Sequence, residues 1–183
     1  MTDTTEKTKK PLLSKLLLLF LLAMVLANIA GNMYGSILPL YLKSLGASVA
    51  QFGLFFTLLS ILPLILQILG GWISDSLGRL RSIAMGSVAG VLSYVGLILA
   101  PTWQWVFFGE SLGAITRSLI GPSFGAFIAE ESEEENRARV YGITQTIFLV
   151  VTVVGPPLGG WLVENYGFKT MFIAAGAIYF CAT

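Results

Sequence analysis

Three stretches of this sequence carry residues whose types and spacing could do chemistry. The first is Gly71-Trp72-Ile73-Ser74-Asp75-Ser76-Leu77-Gly78-Arg79-Leu80-Arg81, an acid and two bases around a glycine. Gly78 permits a tight turn with positive φ. Asp75 would sit at the end of a helix, where the dipole disfavours an anion, so it calls for a partner. The second is Glu110 and Arg117, both inside an apolar run. A charge at the centre of a membrane span costs at least about 2.5 kcal/mol, which marks both as candidate functional groups. Glu110, Gly113, Ala114, Arg117, Gly121, Phe124 and Gly125 share one helical face. Arg117 falls just past mid-depth. Glu110 lies two turns away and cannot be its bidentate partner on the same helix. Glu110 reads either as a proton site or as a solvated group near the membrane edge. The third stretch is Gly155-Pro156-Pro157-Leu158-Gly159-Gly160. Its prolines remove two backbone donors and kink the helix, and Gly155 and Gly159 form a surface for close packing. Asn28, Asn32, Gly35, Ser36 and Pro39 share a further face, either toward a substrate or hydrogen-bonded to Gln145 and Thr146; Asn28, Asn32 and Gln145 join Glu110 and Arg117 as central-cavity candidates.

The elements that must position these residues follow from composition. Of 183 residues, 55% are hydrophobic and 11% charged, against about 25% charged in a soluble domain. That is too little polar surface to coat a globule in water. The sequence predicts an all-α membrane protein with about six transmembrane helices. The expected spans are about 16–42, 49–73, 82–100, 103–129, 133–163 and 170–183, after a polar, disordered tail over 1–15. Ser48 to Gln51 and Ser132 to Glu135 are capping-box patterns that would open spans 2 and 5, and Thr102 is an N-cap candidate for span 4. The 14 residues from Thr170 to Thr183 reach about 21 Å of a core about 30 Å thick, so the sixth helix reads as truncated.

Lys7, Lys9, Lys10, Lys15, Arg79, Arg81, Arg137 and Arg139 fall on one side of these spans, and Lys43 and Lys169 on the other. The positive-inside bias places the first side, with the N-terminus, in the cytoplasm of a multi-pass cell-membrane protein. Zero histidines exclude Ser-His and Cys-His catalysis and His-ligated metals, so neither an enzyme nor a metal or cofactor is expected. The single cysteine, Cys181, forms no intrachain disulfide. A net charge of +1 argues against a nucleic-acid partner.

The first stretch resembles the signature loop of the major facilitator superfamily, Gly-x-Leu-Ala/Ser-Asp-Arg-x-Gly-Arg-Arg. Gly71, Ser74, Asp75, Gly78 and Arg79 match; Ile73 stands for Leu, Ser76 and Leu80 depart from basic positions, and Arg81 substitutes for the second of these. The Arg117 to Gly121 spacing resembles a second signature, Arg-x-x-Gln-Gly, with Ile120 at the Gln position. Gly142, Gly155, Pro156, Gly159 and Gly160 resemble an antiporter signature ending Gly-Pro-x-x-Gly-Gly, with Val151 at one of its glycines.

The resemblance implies a six-helix, N-terminal transporter half built from two inverted three-helix repeats. It implies that Gly71, Asp75, Gly78, Arg79 and Arg81 form a conformational latch, with Glu130 or Glu131 as the acid for Arg79. It further implies that Arg117 couples transport to protons; the other reading ties Arg117 to backbone carbonyls between spans 1 and 4. The partners would be a small-molecule substrate, protons, membrane lipids and a C-terminal six-helix half, from the same gene or a second copy. The implied function is proton-coupled efflux of a small organic solute. The alternatives are a sugar or metabolite symporter, or a non-transporting membrane fragment.

Overall fold

The computed structural model describes residues 15–132 and 134–183; the expected tail lies outside them except for Lys15. The described residues form six helices: α1 (Lys15–Gly35), α2 (Leu38–Ser44), α3 (Val49–Leu77), α4 (Arg79–Leu99), α5 (Trp103–Glu131) and α6 (Arg137–Cys181). Five of these, all but α2, are long and apolar enough to cross a bilayer. Large apolar side chains stay exposed along them, such as Ile68 on α3 and Val153 on α6. That is the pattern of helices whose outer faces meet lipid rather than water.

Each break has a local cause. The first run divides at Ser36–Ile37, because Pro39 sits in the first turn of α2 and its ring would clash with the carbonyl four residues back if one helix continued. Ser48 and Gln51 form a reciprocal capping box that opens α3, with Gln51 Oε1 accepting from the Ser48 N–H at 2.7 Å. Gly78, at φ 92°, is at once the last cap of α3 and the first of α4. A residue with a Cβ would be strained at that angle. Gly167, at φ 81°, likewise breaks α6 into two arms.

Two caps differ from the sequence reading. Thr102 is the N-cap residue of α5, but its side chain caps no N–H. Ser132 does not open a helix: it ends α5, its N–H bonded to Ile128 O at 3.1 Å, and α6 begins only at Arg137. Phe127 and Ile128 are buried against Leu17 and Leu21 of α1. That packing draws the last turn of α5 through Glu131 and uses Ser132 as its end.

Helix pairing sets the architecture: α1 lies along α6, α5 packs between α3 and α4, and α4 also meets α6. At the α1–α6 crossing the backbones nearly touch. A Cβ on Gly159 would sit 1.7 Å from Met33 O, and one on Gly155 2.5 Å from Asn32 Cβ. Small residues thus do here what close helix packing in lipid requires. The second arm of α6 folds back onto α1, α2 and α4 through aromatic contacts, Phe172 to Tyr34 at 5.6 Å and Tyr179 to Tyr94 at 5.2 Å. Tyr41 is buried against Phe168 and Phe172.

Candidate functional site

Two sites emerge, on opposite stretches of α5. The first is the α3–α4 junction. The turn at Gly78 projects Arg79 back over the end of α3, where it pairs with Asp75. Its Nε donates to Glu130 Oε1 at 3.3 Å, at the far end of α5. Its Nη1 donates to the buried hydroxyl of Ser74 at 3.1 Å. Of the two acids suggested by the sequence, Glu130 is therefore the one that meets Arg79. Arg81 is exposed, and among the described residues it forms no ion pair with Asp75 or Glu130. Gly71 meets nothing: a Cβ there would have no neighbour within 4 Å. Gly70, which the sequence reading passed over, is the closely packed one, since its Cβ would lie 2.1 Å from Ser118 O of α5. A run of two glycines signals that one of them is packed, and only the partner helix says which.

The second site is a cavity of about 630 Å³ walled by α1, α3, α4, α5 and the second arm of α6. Asn28, Asn32, Glu110, Arg117 and Gly121 all line it. Glu110 is 4% exposed, so the reading of a solvated interfacial group is overturned. Its Oε2 lies 3.7 Å from an Arg117 Nη, and its Oε1 is buried without a hydrogen-bond partner. The pair is a single ionic contact, not a bidentate one. It forms across a rise of about 10 Å because the Arg117 side chain runs back over Gly113, whose missing Cβ would lie 3.4 Å from Arg117 Nη1. Gly113 makes room both for Ser93 of the neighbouring α4, whose Oγ would lie 3.2 Å from a Cβ there, and for the arginine itself.

The asparagine amides donate within α1 and not to α6, although Asn32 Cβ itself packs against Gly155. Asn28 Nδ2 donates to Met24 O at 2.8 Å and Asn32 Nδ2 to Asn28 O at 2.9 Å, both within α1. Gln145 is a correction: it is exposed and is not among the cavity's lining residues. The buried face of α6 carries Val140, Thr144, Val151, Gly155 and Gly159. One residue beyond Thr144, a rotation of about 100° turns Gln145 away from it. The glycine motif of α6 divides in the same way. Gly155 and Gly159 pack on α1, while a Cβ at Gly142 or Gly160 would meet nothing within 4 Å.

Tyr34, Tyr94, Tyr179 and Ser93 line the cavity and were not singled out from the sequence. Ser93 Oγ donates to Gly109 O at 2.7 Å, joining α4 to α5 beside Glu110. The available signal was tyrosine well inside apolar helices, where its hydroxyl needs polar company. Among the described residues no cluster of three or more His, Cys, Asp or Glu could hold a metal ion.

Comparison with known proteins places the sequence in a family. The profile of the Major Facilitator Superfamily matches residues 20–183. The chain is 25% identical over 149 residues to the multi-drug resistance efflux pump PmrA of Streptococcus pneumoniae, covering 79% of this chain and 37% of that protein. It is 25% identical over 142 residues to the quinolone resistance protein NorA of Staphylococcus aureus, covering 78% and 36%. A PmrA homolog of Lactococcus lactis is 29% identical over 150 residues, covering 80% and 37%. The chain thus spans little more than a third of the length of the curated relatives it matches. These relatives are efflux and resistance proteins, not enzymes. A bundle of apolar helices around a charged cavity, with a family match over most of its length, makes this chain a multi-pass membrane protein belonging to the Major Facilitator Superfamily of transporters.

Proposed function

We propose that this chain is the N-terminal half of a proton-coupled exporter of small organic solutes, working by alternating access. The observation that carries the reading is the Glu110–Arg117 pair: a buried carboxyl with one oxygen 3.7 Å from a guanidinium and the other unpartnered, facing a cavity of about 630 Å³. Neutralisation of Glu110 can come from Arg117 or from a proton. Exchange between the two frees Arg117 or restrains it, and that is how protonation would bias an inward–outward equilibrium.

In this reading the six spans form two inverted three-helix repeats in the cell membrane, with the N-terminus cytoplasmic. A C-terminal six-helix half, encoded downstream or supplied by a second copy, would close the cavity from the other side. The junction of Gly78, Asp75, Arg79 and Glu130 would act as the latch on the cytoplasmic face. The similarity to drug efflux proteins favours export over uptake.

The test is transport in inside-out vesicles carrying this chain together with its C-terminal half, with an imposed proton gradient (interior acid) and a fluorescent quinolone as probe. Accumulation that follows the gradient and is lost in Glu110→Gln and Arg117→Gln is the expected result. No gradient-dependent flux would overturn the proposal. Flux only with the gradient reversed would replace it with the symport reading.

A further inference from the structure

The buried hydroxyls on the inner side of the junction have no role in the ion pairs themselves. Ser74 is 1% exposed and Ser123 is fully buried. They lie on different helices, α3 and α5, with their Oγ atoms 2.8 Å apart. Ser74 Oγ accepts from Arg79 Nη1 at 3.1 Å, and Ser123 Oγ lies 2.7 Å from Leu119 O. Each hydroxyl has one hydrogen to donate. If Ser123 donates to Leu119 O, its bond with Ser74 must use the Ser74 hydrogen. The contacts then form one directed chain: guanidinium to Ser74, Ser74 to Ser123, Ser123 to the α5 backbone. One turn away, Gly70 lies against the backbone of Ser118, so the two helices cannot slide without breaking this chain.

We propose that Ser74 and Ser123 are positioning residues for Arg79: together they aim its guanidinium at Glu130 and tie the α3–α4 turn to α5, the helix that carries Glu110 and Arg117. The inference rests on the latch reading of this junction. An arginine on a surface turn otherwise samples many rotamers, and its exposed acids, Asp75 and Glu130, restrain it only weakly. A bond from Nη1 into a dry hydroxyl pair fixes the plane of the fork, because the guanidinium is rigid and planar. Nη1 is shared between exposed Asp75 and buried Ser74, and with it held there Nε faces Glu130.

The experiment is side-chain NMR of the arginine Nε–H groups of the whole chain in detergent micelles, with the Arg79 signal assigned by its loss in Arg79→Lys. In the native chain the Arg79 Nε–H should exchange with water about tenfold more slowly than that of exposed Arg81, as expected for one charge-assisted hydrogen bond. Ser74→Ala and Ser123→Ala should each bring it to the Arg81 rate while circular dichroism shows the helices unchanged. Ser123→Thr, which keeps the hydroxyl, should retain the slow rate. Slow exchange that persists in both alanine variants overturns the positioning role and leaves the latch standing. Fast exchange already in the native chain overturns both, since there is then no fixed Arg79–Glu130 contact to position.

Discussion

The molecule holds two acid–arginine sites that look alike as residue types and differ in their surroundings. At the junction, the Arg79 side chain is 28% exposed and its acids, Asp75 and Glu130, are 69% and 59% exposed. In the cavity, the Glu110 side chain is 5% exposed beside an Arg117 that is half exposed. Every charge at the junction can fall back on water, so each pairing there is replaceable and geometry, not charge alone, must supply its specificity. Glu110 has no such fallback. Its charge state is tied to the Arg117 guanidinium and to the Tyr34 hydroxyl beside it, and that is the condition under which protonation can move a structure.

The sharpest way to break this comparison is Arg117→Met, which leaves Glu110 buried without its ionic contact. We expect a loss of about 3 kcal/mol in thermal unfolding in detergent, the low end for a broken buried pair because Arg117 is itself half exposed. The double variant Glu110→Leu/Arg117→Met should regain most of it. An Arg117→Met chain as stable as the native one would remove the distinction between the two sites. Next in size is Gly70→Ala, whose Cβ would meet Ser118 O; about 2 kcal/mol of destabilisation is expected from overpacking the seam beneath the junction. Gly71→Ala is its control. With open space around it, that substitution should be neutral or stabilising by up to about 1 kcal/mol, from helix propensity. Ser93→Ala, which removes the bond to Gly109 O at the cavity wall, should cost about 1 kcal/mol. The smallest effect belongs to Glu130→Gln: a slight fall in melting temperature at low salt that disappears at high salt, because both partners are exposed enough to be screened.

Much of the junction was legible in the sequence. Gly78 announces a positive-φ turn whatever surrounds it, and an acid and a base four residues apart on either side of that turn have little choice but to meet. The choice of Glu130 as the acid on α5, and of Gly70 rather than Gly71 as the packed glycine, was not legible. Both depend on how α3 and α5 are rotated against each other, and neither helix encodes that alone. The cavity was read less well. Arg117 and Glu110 were identifiable as costly residues in an apolar run, but their separation along the helix argued only against a bidentate pair and left a single contact undecided. The path over Gly113 exists only once the side chain is placed. Asn28 and Asn32 line the cavity, yet their amide hydrogens go to carbonyls one turn back, a competitor that periodicity does not reveal. Gln145 was assigned to the cavity by polarity, and the close approach of Gly155 and Gly159 to α1 instead fixed a face of α6 that excludes it.

By itself the sequence determined what its local chemistry forces. These are the apolar runs that must be helices in lipid, the break at Gly78, the capping box at Ser48, and the few charges too expensive to be accidental. The tertiary structure alone decided the helix rotations: which carboxyl answers which arginine, which glycine carries a backbone contact, and which polar groups share the cavity. The physical reason is that the outer faces of these helices are nearly uniformly apolar. Hydrophobic periodicity therefore gives them no preferred orientation, and rotation is set by backbone contact at small residues and by a handful of buried polar pairs.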